Sequence, residues 1–66
     1  MEHYYVIVGN EFGVDPGSKT TFKITEFDDA ESCYDAKVDD NLDLYVGLMH
    51  VDADGKETTV KEFIDN

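Results

Sequence analysis

From His3 to Val8 the chain is an unbroken run of aromatic and β-branched residues, His3-Tyr4-Tyr5-Val6-Ile7-Val8, closed by Gly9-Asn10. Such residues suit a pleated, half-buried surface, and the pattern predicts a first strand. Glu11 to Lys19 carries Gly13, Asp15-Pro16-Gly17 and Ser18. Pro followed by Gly fits the centre of a type II turn, so this stretch reads as a loop. Thr20 to Glu26 then alternates, with Phe22 and Ile24 on one face and Thr21, Lys23 and Thr25 on the other, which predicts a second strand.

The period changes after Glu26. Ala30, Cys33, Tyr34, Lys37 and Val38 recur at helical spacing, and Asp28 stands three residues before Glu31 in the manner of a capping box. An amphipathic helix of about three turns is expected, ending near Asp39-Asp40-Asn41. Leu42 to Val51 returns to alternation, with Leu42, Leu44, Val46 and Leu48 on one face and Tyr45 and Met49 partly apolar on the other. Apolar character on both faces predicts a central strand. Asp54-Gly55 fits a tight hairpin turn into Glu57-Thr58-Thr59-Val60-Lys61. Beyond it Val60, Phe63 and Ile64 suit either a helix or a strand end.

The order strand, strand, helix, strand, strand predicts an α+β domain: a four-stranded antiparallel sheet with one helix packed on one face. Sixty-six residues allow one domain, 1–66, and a start at Met1 with a polar end at Asp65-Asn66 is expected of a complete small protein. The single cysteine, Cys33, can form no internal disulfide, and neither a leader nor a run of 18 apolar residues is visible. A cytoplasmic setting is therefore expected.

Charge says more about this chain than any motif does. Sixteen acidic residues against five lysines give −11, or one net negative charge for every six residues. The 41% of apolar residues still provides a core, so this acidity does not predict disorder. Such a surface repels nucleic acid and anionic lipid and attracts basic proteins. With no arginine, the chain also lacks the guanidinium fork that grips phosphate. Between Asp28 and Asp43 the residues Asp28, Asp29, Glu31, Asp35, Asp39, Asp40 and Asp43 stand against Lys37 alone, −6 in sixteen residues. On the predicted helix Asp28, Glu31, Asp35 and Asp39 fall at steps of three or four, about one carboxylate per turn of 5.4 Å. Phosphates of duplex DNA follow one another about 3.4 Å apart per strand along the axis, so the two rows of anions can meet the same lysines and arginines. A solvated face that merely keeps the chain soluble, or adaptation to salt, would also use such residues.

Catalytic chemistry finds no support in the residue pattern. His3 and His50 belong to different strands and form no nucleophile and base set with Ser18, Ser32 or Cys33. Cys33 lies on the predicted core stripe, where a thiol packs. Asp52-Ala53-Asp54-Gly55 imitates the middle of a calcium loop, but the first and twelfth positions would be His50 and Lys61, which favours a hairpin turn over a metal loop. Gly9, Gly13 and Gly17 lack the helix and lysine of a phosphate loop. So short a chain should leave almost no volume for a pocket. No cofactor or metal is expected, and the chain reads as a non-enzyme. Tyr4, Phe12, Tyr45 and Met49 remain as candidate exposed anchors for a protein contact, including a contact between two copies.

A short acidic chain with one helix beginning Asp28-Asp29-Ala30-Glu31 and a small antiparallel sheet resembles the phage-encoded inhibitors that mimic DNA. Anti-CRISPR proteins, anti-restriction proteins and uracil-DNA glycosylase inhibitors are of this type. The likeness covers size, charge and element order. It implies a stoichiometric inhibitor that occupies the basic groove of a nucleic-acid-binding protein of the host. The second reading is an adaptor or structural domain, alone or as a homodimer, whose contact lies on the sheet.

Overall fold

The computed structural model describes residues 1–10, 13–14, 19–40 and 45–64. Its elements are β1 (His3–Asn10), β2 (Gly13–Val14), β3 (Thr20–Lys23), α1 (Phe27–Asp40), β4 (Tyr45–Val51) and β5 (Glu57–Ile64). All pairings are antiparallel. β1 and β4 form the centre, β5 lies on the far side of β4, and β3 and β2 pair in succession along the other side of β1. With α1 on one face, this is the expected α+β domain, and β4 is central as its two apolar faces required.

Three boundaries differ from the sequence pattern. The segment read as a loop contains β2, because Gly13 and Val14 pair with Asn10 and Gly9. β3 ends at Lys23, and Ile24 is 37% exposed instead of facing the core. The cause is a tight turn: the Glu26 N–H donates to the Lys23 carbonyl at 2.9 Å, and the Glu26 carboxylate accepts from the Lys23 N–H at 2.7 Å. This turn also sets the start of the helix. Ala30 N–H donates to the Glu26 carbonyl at 3.0 Å, so Glu26 occupies the cap position and Phe27 begins α1. Asp28 is therefore inside the first turn, and the Asp28–Glu31 capping box does not form; its charge acts on the helix end through the macrodipole instead. The expected start of the third strand at Leu42 lies outside the described residues, as do Asp43, Phe12 and the Asp15-Pro16-Gly17 turn.

The hairpin at Asp54-Gly55 forms as its sequence predicts. Gly55 takes φ +86°, its N–H donates to the Asp52 carbonyl at 3.0 Å, and Asp52 Oδ1 accepts from the N–H groups of Asp54 and Lys56 at 2.9 and 2.8 Å. Every oxygen engagement here serves the turn, which is the structural alternative to the calcium loop.

β5 resolves the ambiguity of the C-terminal residues in favour of a strand through Ile64. A bulge makes the choice. Leu48 pairs with Lys61 and Met49 with Thr59, leaving Val60 as the extra residue. Without it strict alternation would turn Val60, Glu62 and Ile64 toward the helix. With it Phe63 packs on the core and Glu62 faces away, so the larger apolar side chain is covered and no carboxylate is buried.

The core lies between α1 and the sheet. Val6, Val8, Ala30, Tyr34, Val46 and Leu48 are buried, with Tyr4, Phe22, Phe27, Cys33, Val38 and Phe63 packed around them. The predicted helix stripe is confirmed in Ala30, Tyr34 and Val38, and Ala30 lets the helix backbone approach the strands. Cys33 is only half-buried. Tyr4, read as a candidate exposed anchor, belongs to this core instead, with its ring against Phe27 at 5.1 Å and His50 at 5.2 Å.

Candidate functional site

With Ala30 and Tyr34 turned inward, the helical period directs Asp28, Asp35 and Asp39 outward. All three are exposed, as is Asp29 at the side of the same helix. Taking 1.5 Å per residue, about 10 Å of axis separates Asp28 from Asp35 and about 6 Å separates Asp35 from Asp39. Among the described residues no cation pairs with any of these four.

Glu31 departs from the expected row. It is half-buried at the flank of α1, and Lys61 of β5 reaches it at 3.0 Å, with the same ammonium 5.9 Å from the Tyr34 ring centre. The hydrogen bond to Glu31 raises the Lys61 pKa. Glu31 thus ties helix to sheet, and its charge is offset. Asp40 closes α1, and Asp43 lies outside the described residues. Of the seven carboxylates singled out in the sequence, the structure shows Asp28, Asp29, Asp35 and Asp39 exposed and unpaired in this manner.

The opposite face of the sheet carries His3, Tyr5 and Ile7 from β1 and Tyr45, Met49 and Val51 from β4, with Glu57, Glu62 and Ile64 from β5. No described helix or strand packs on it. Its tyrosines are held by carboxylates. Tyr5 OH donates to Glu57 across β4, while Lys19 Nζ stands 4.3 Å from the Tyr5 ring centre. The hydrogen bond to Glu57, followed by burial, raises the Tyr5 pKa to about 12. Burial and then the nearby Glu62 raise that of Tyr45, and burial raises that of Tyr34. The ordinary value is 10.0. Raised pKa values stabilise the fold fully below pH 10, and this contribution is lost as pH climbs from 10 toward 12. A phenolate absorbance titration should therefore show a late step that Tyr5→Phe removes, accompanied by a falling melting temperature over that window. Four tyrosines titrating together near the ordinary value would refute this.

Tyr45 and Met49 were singled out in the sequence and do lie half-buried on this face. Tyr5, Glu57 and Glu62 were not. Their signal was the register: once Val6 and Val8 face the helix, Tyr5 and Ile7 must face away.

The two histidines are on opposite faces. His3 Nδ1 bonds the Met1 carbonyl at 2.8 Å, and His50 Nε2 is 3.6 Å from Glu2. A groove of about 570 Å³ runs beside the start of β1, lined by residues that include Met1, His3, Phe22, Lys23, Ile24 and Glu26. The chain is thus not too small for a concavity, although this one is open and mainly apolar. Among the described residues no three His, Cys, Asp or Glu side chains come together as a metal site, and no helix is long and apolar enough to cross a membrane. No protein family, no curated protein and no solved structure matches the chain.

Proposed function

We propose that this protein is a DNA-mimic inhibitor that docks the outward face of α1 into the basic nucleic-acid-binding groove of another protein. One observation carries the reading: Asp28, Asp29, Asp35 and Asp39 are exposed and, among the described residues, none of them makes an ion pair, whereas Glu31 is tied to Lys61, which also feels Asp35. Carboxylates left in mutual repulsion cost stability, and a basic groove relieves that cost on binding. The helix supplies a rigid rod, so little conformational entropy is lost when its row of anions meets lysines and arginines arranged for phosphates. The role is that of a phage- or mobile-element-encoded inhibitor of the anti-CRISPR kind, acting by occupation and without catalysis.

The direct test is competition. Immobilised protein should retain a basic nucleic-acid-binding protein from host lysate, and excess duplex DNA should displace it. Raising salt from about 0.05 to 0.5 M should release it as well, because a Debye length near 10 Å at 0.1 M shrinks and exposed pairs are screened. Retention indifferent to both DNA and salt would overturn the reading.

A further inference from the structure

We infer that the helix-free face of the sheet is the surface on which two copies of this chain associate. Tyr5 and Val51 are each only 8% exposed, yet both lie outside the core beneath α1. Around them Ile7, Tyr45 and Met49 are half-buried, and Ile64 at the β5 margin is 56% exposed. Gly47 keeps the centre low, with the Tyr45 ring folded over it. Tyr5 and Val51 are thus already covered within the chain, and the apolar surface left open is that of Ile7, Tyr45, Met49 and Ile64, an aliphatic patch with one aromatic anchor as at an interface centre.

Its charges identify the occupant. Across one row of the sheet run Lys23, His3, Val51 and Glu57; across another run Ile7, Gly47 and Glu62, with Lys19 one residue beyond Thr20 and hence level with Ile7. Both lysines therefore lie at the β3 side and both glutamates at the β5 side. A two-fold axis along the strands, between two such faces, places the β3 side of one copy over the β5 side of the other. Lys23 then meets the second copy's Glu57, and Lys19 meets its Glu62. The face is complementary to itself, as an isologous contact requires. Among the described residues its two glutamates are balanced by its two lysines, whereas the outward side of α1 presents Asp28, Asp35 and Asp39. Pairing through the sheet therefore sends both acidic helices to opposite outer surfaces, where their repulsion is least.

Sedimentation of the purified chain should show about twice its 7.5 kDa mass at tens of micromolar. Met49→Lys should give the monomer, and Lys23→Glu should weaken the dimer about tenfold or more by setting two carboxylates together. Adding Glu57→Lys to Lys23→Glu restores the pairing with its polarity reversed and should recover the dimer. Circular dichroism of each variant separates loss of association from loss of folding, and Asp35→Lys on the helix should leave the mass unchanged. A monomer up to about 1 mM, or a dimer indifferent to Met49→Lys and Lys23→Glu, overturns the inference. No partner protein or nucleic acid enters the experiment, so its outcome is independent of the role of the acidic helix.

Discussion

Leu48→Asp is expected to abolish the cooperative thermal transition. Leu48 is 0% exposed, in the central strand, between β1 and β5 and beneath α1. A domain of this length has a total stability of about 3–10 kcal/mol at roughly 0.05–0.15 kcal/mol per residue. Truncating a buried leucine to alanine costs about 2–5 kcal/mol, and an aspartate adds the cost of an uncompensated polar group or charge. The sum reaches the whole stability. Leu48→Ala should therefore still fold with a lowered melting temperature, whereas Leu48→Asp should show neither a calorimetric peak nor dispersed amide resonances. A cooperative transition in the aspartate variant would mean that the helix does not cover β4.

Reversing Asp28, Asp35 and Asp39 to lysine should cost about a thousandfold in affinity for the proposed basic partner. Each exchange moves the net charge by two, from −11 to −5 for the three. Close charge pairs across an interface are worth about 1.5 kcal/mol or more each, and three of them amount to roughly three decades in Kd. The fold should survive, since exposed carboxylates contribute little to stability and their removal relieves repulsion. Titration calorimetry against the partner, with the melting temperature as control, distinguishes the outcomes. Unchanged affinity in a folded triple variant would remove α1 as the contact and direct attention to the sheet. Glu31→Gln should behave differently, with a loss of stability from the Lys61 tie and little loss of binding.

The parts of the fold legible in the sequence were those with a long, unconflicted period. His3 to Val8, the Ala30 to Val38 stripe and the alternation from Val46 to Leu48 each had one arrangement that hides their apolar side chains. The Asp54-Gly55 turn was legible because few residues accept a positive φ. Where reading failed, a local bond competed with the period. Ile24 continued the alternation of Phe22, but the Glu26 carboxylate closing on Lys23 N–H ended the strand first. Asp28 and Glu31 had the spacing of a cap, yet Glu26 took that position and Lys61 took Glu31. Lys61 comes from another element and leaves no trace in spacing. Tyr4 is illegible for the opposite reason: adjacent Tyr4 and Tyr5 offer equal bulk to both faces, and only pairing with the flanking strands decides between them. The acidic face was legible as charge alone; which of its members remained unpaired required the fold.

The bulge at Val60 also bears on what happens when many copies are crowded together. β5 is the long outer strand of the sheet, and an unbroken row of outward amide and carbonyl groups there would be a template for adding strand after strand without limit. An extra residue in the middle of β5 bends the strand and breaks the even spacing that an incoming strand needs, and Lys61 beside it places a charge at the break. Deleting Val60 would leave every other side chain on its present face while straightening that margin. The shortened chain would be folded and close to native in its core, yet prone to open-ended polymerisation, so the bulge trades regularity in one strand for a sheet that stops growing.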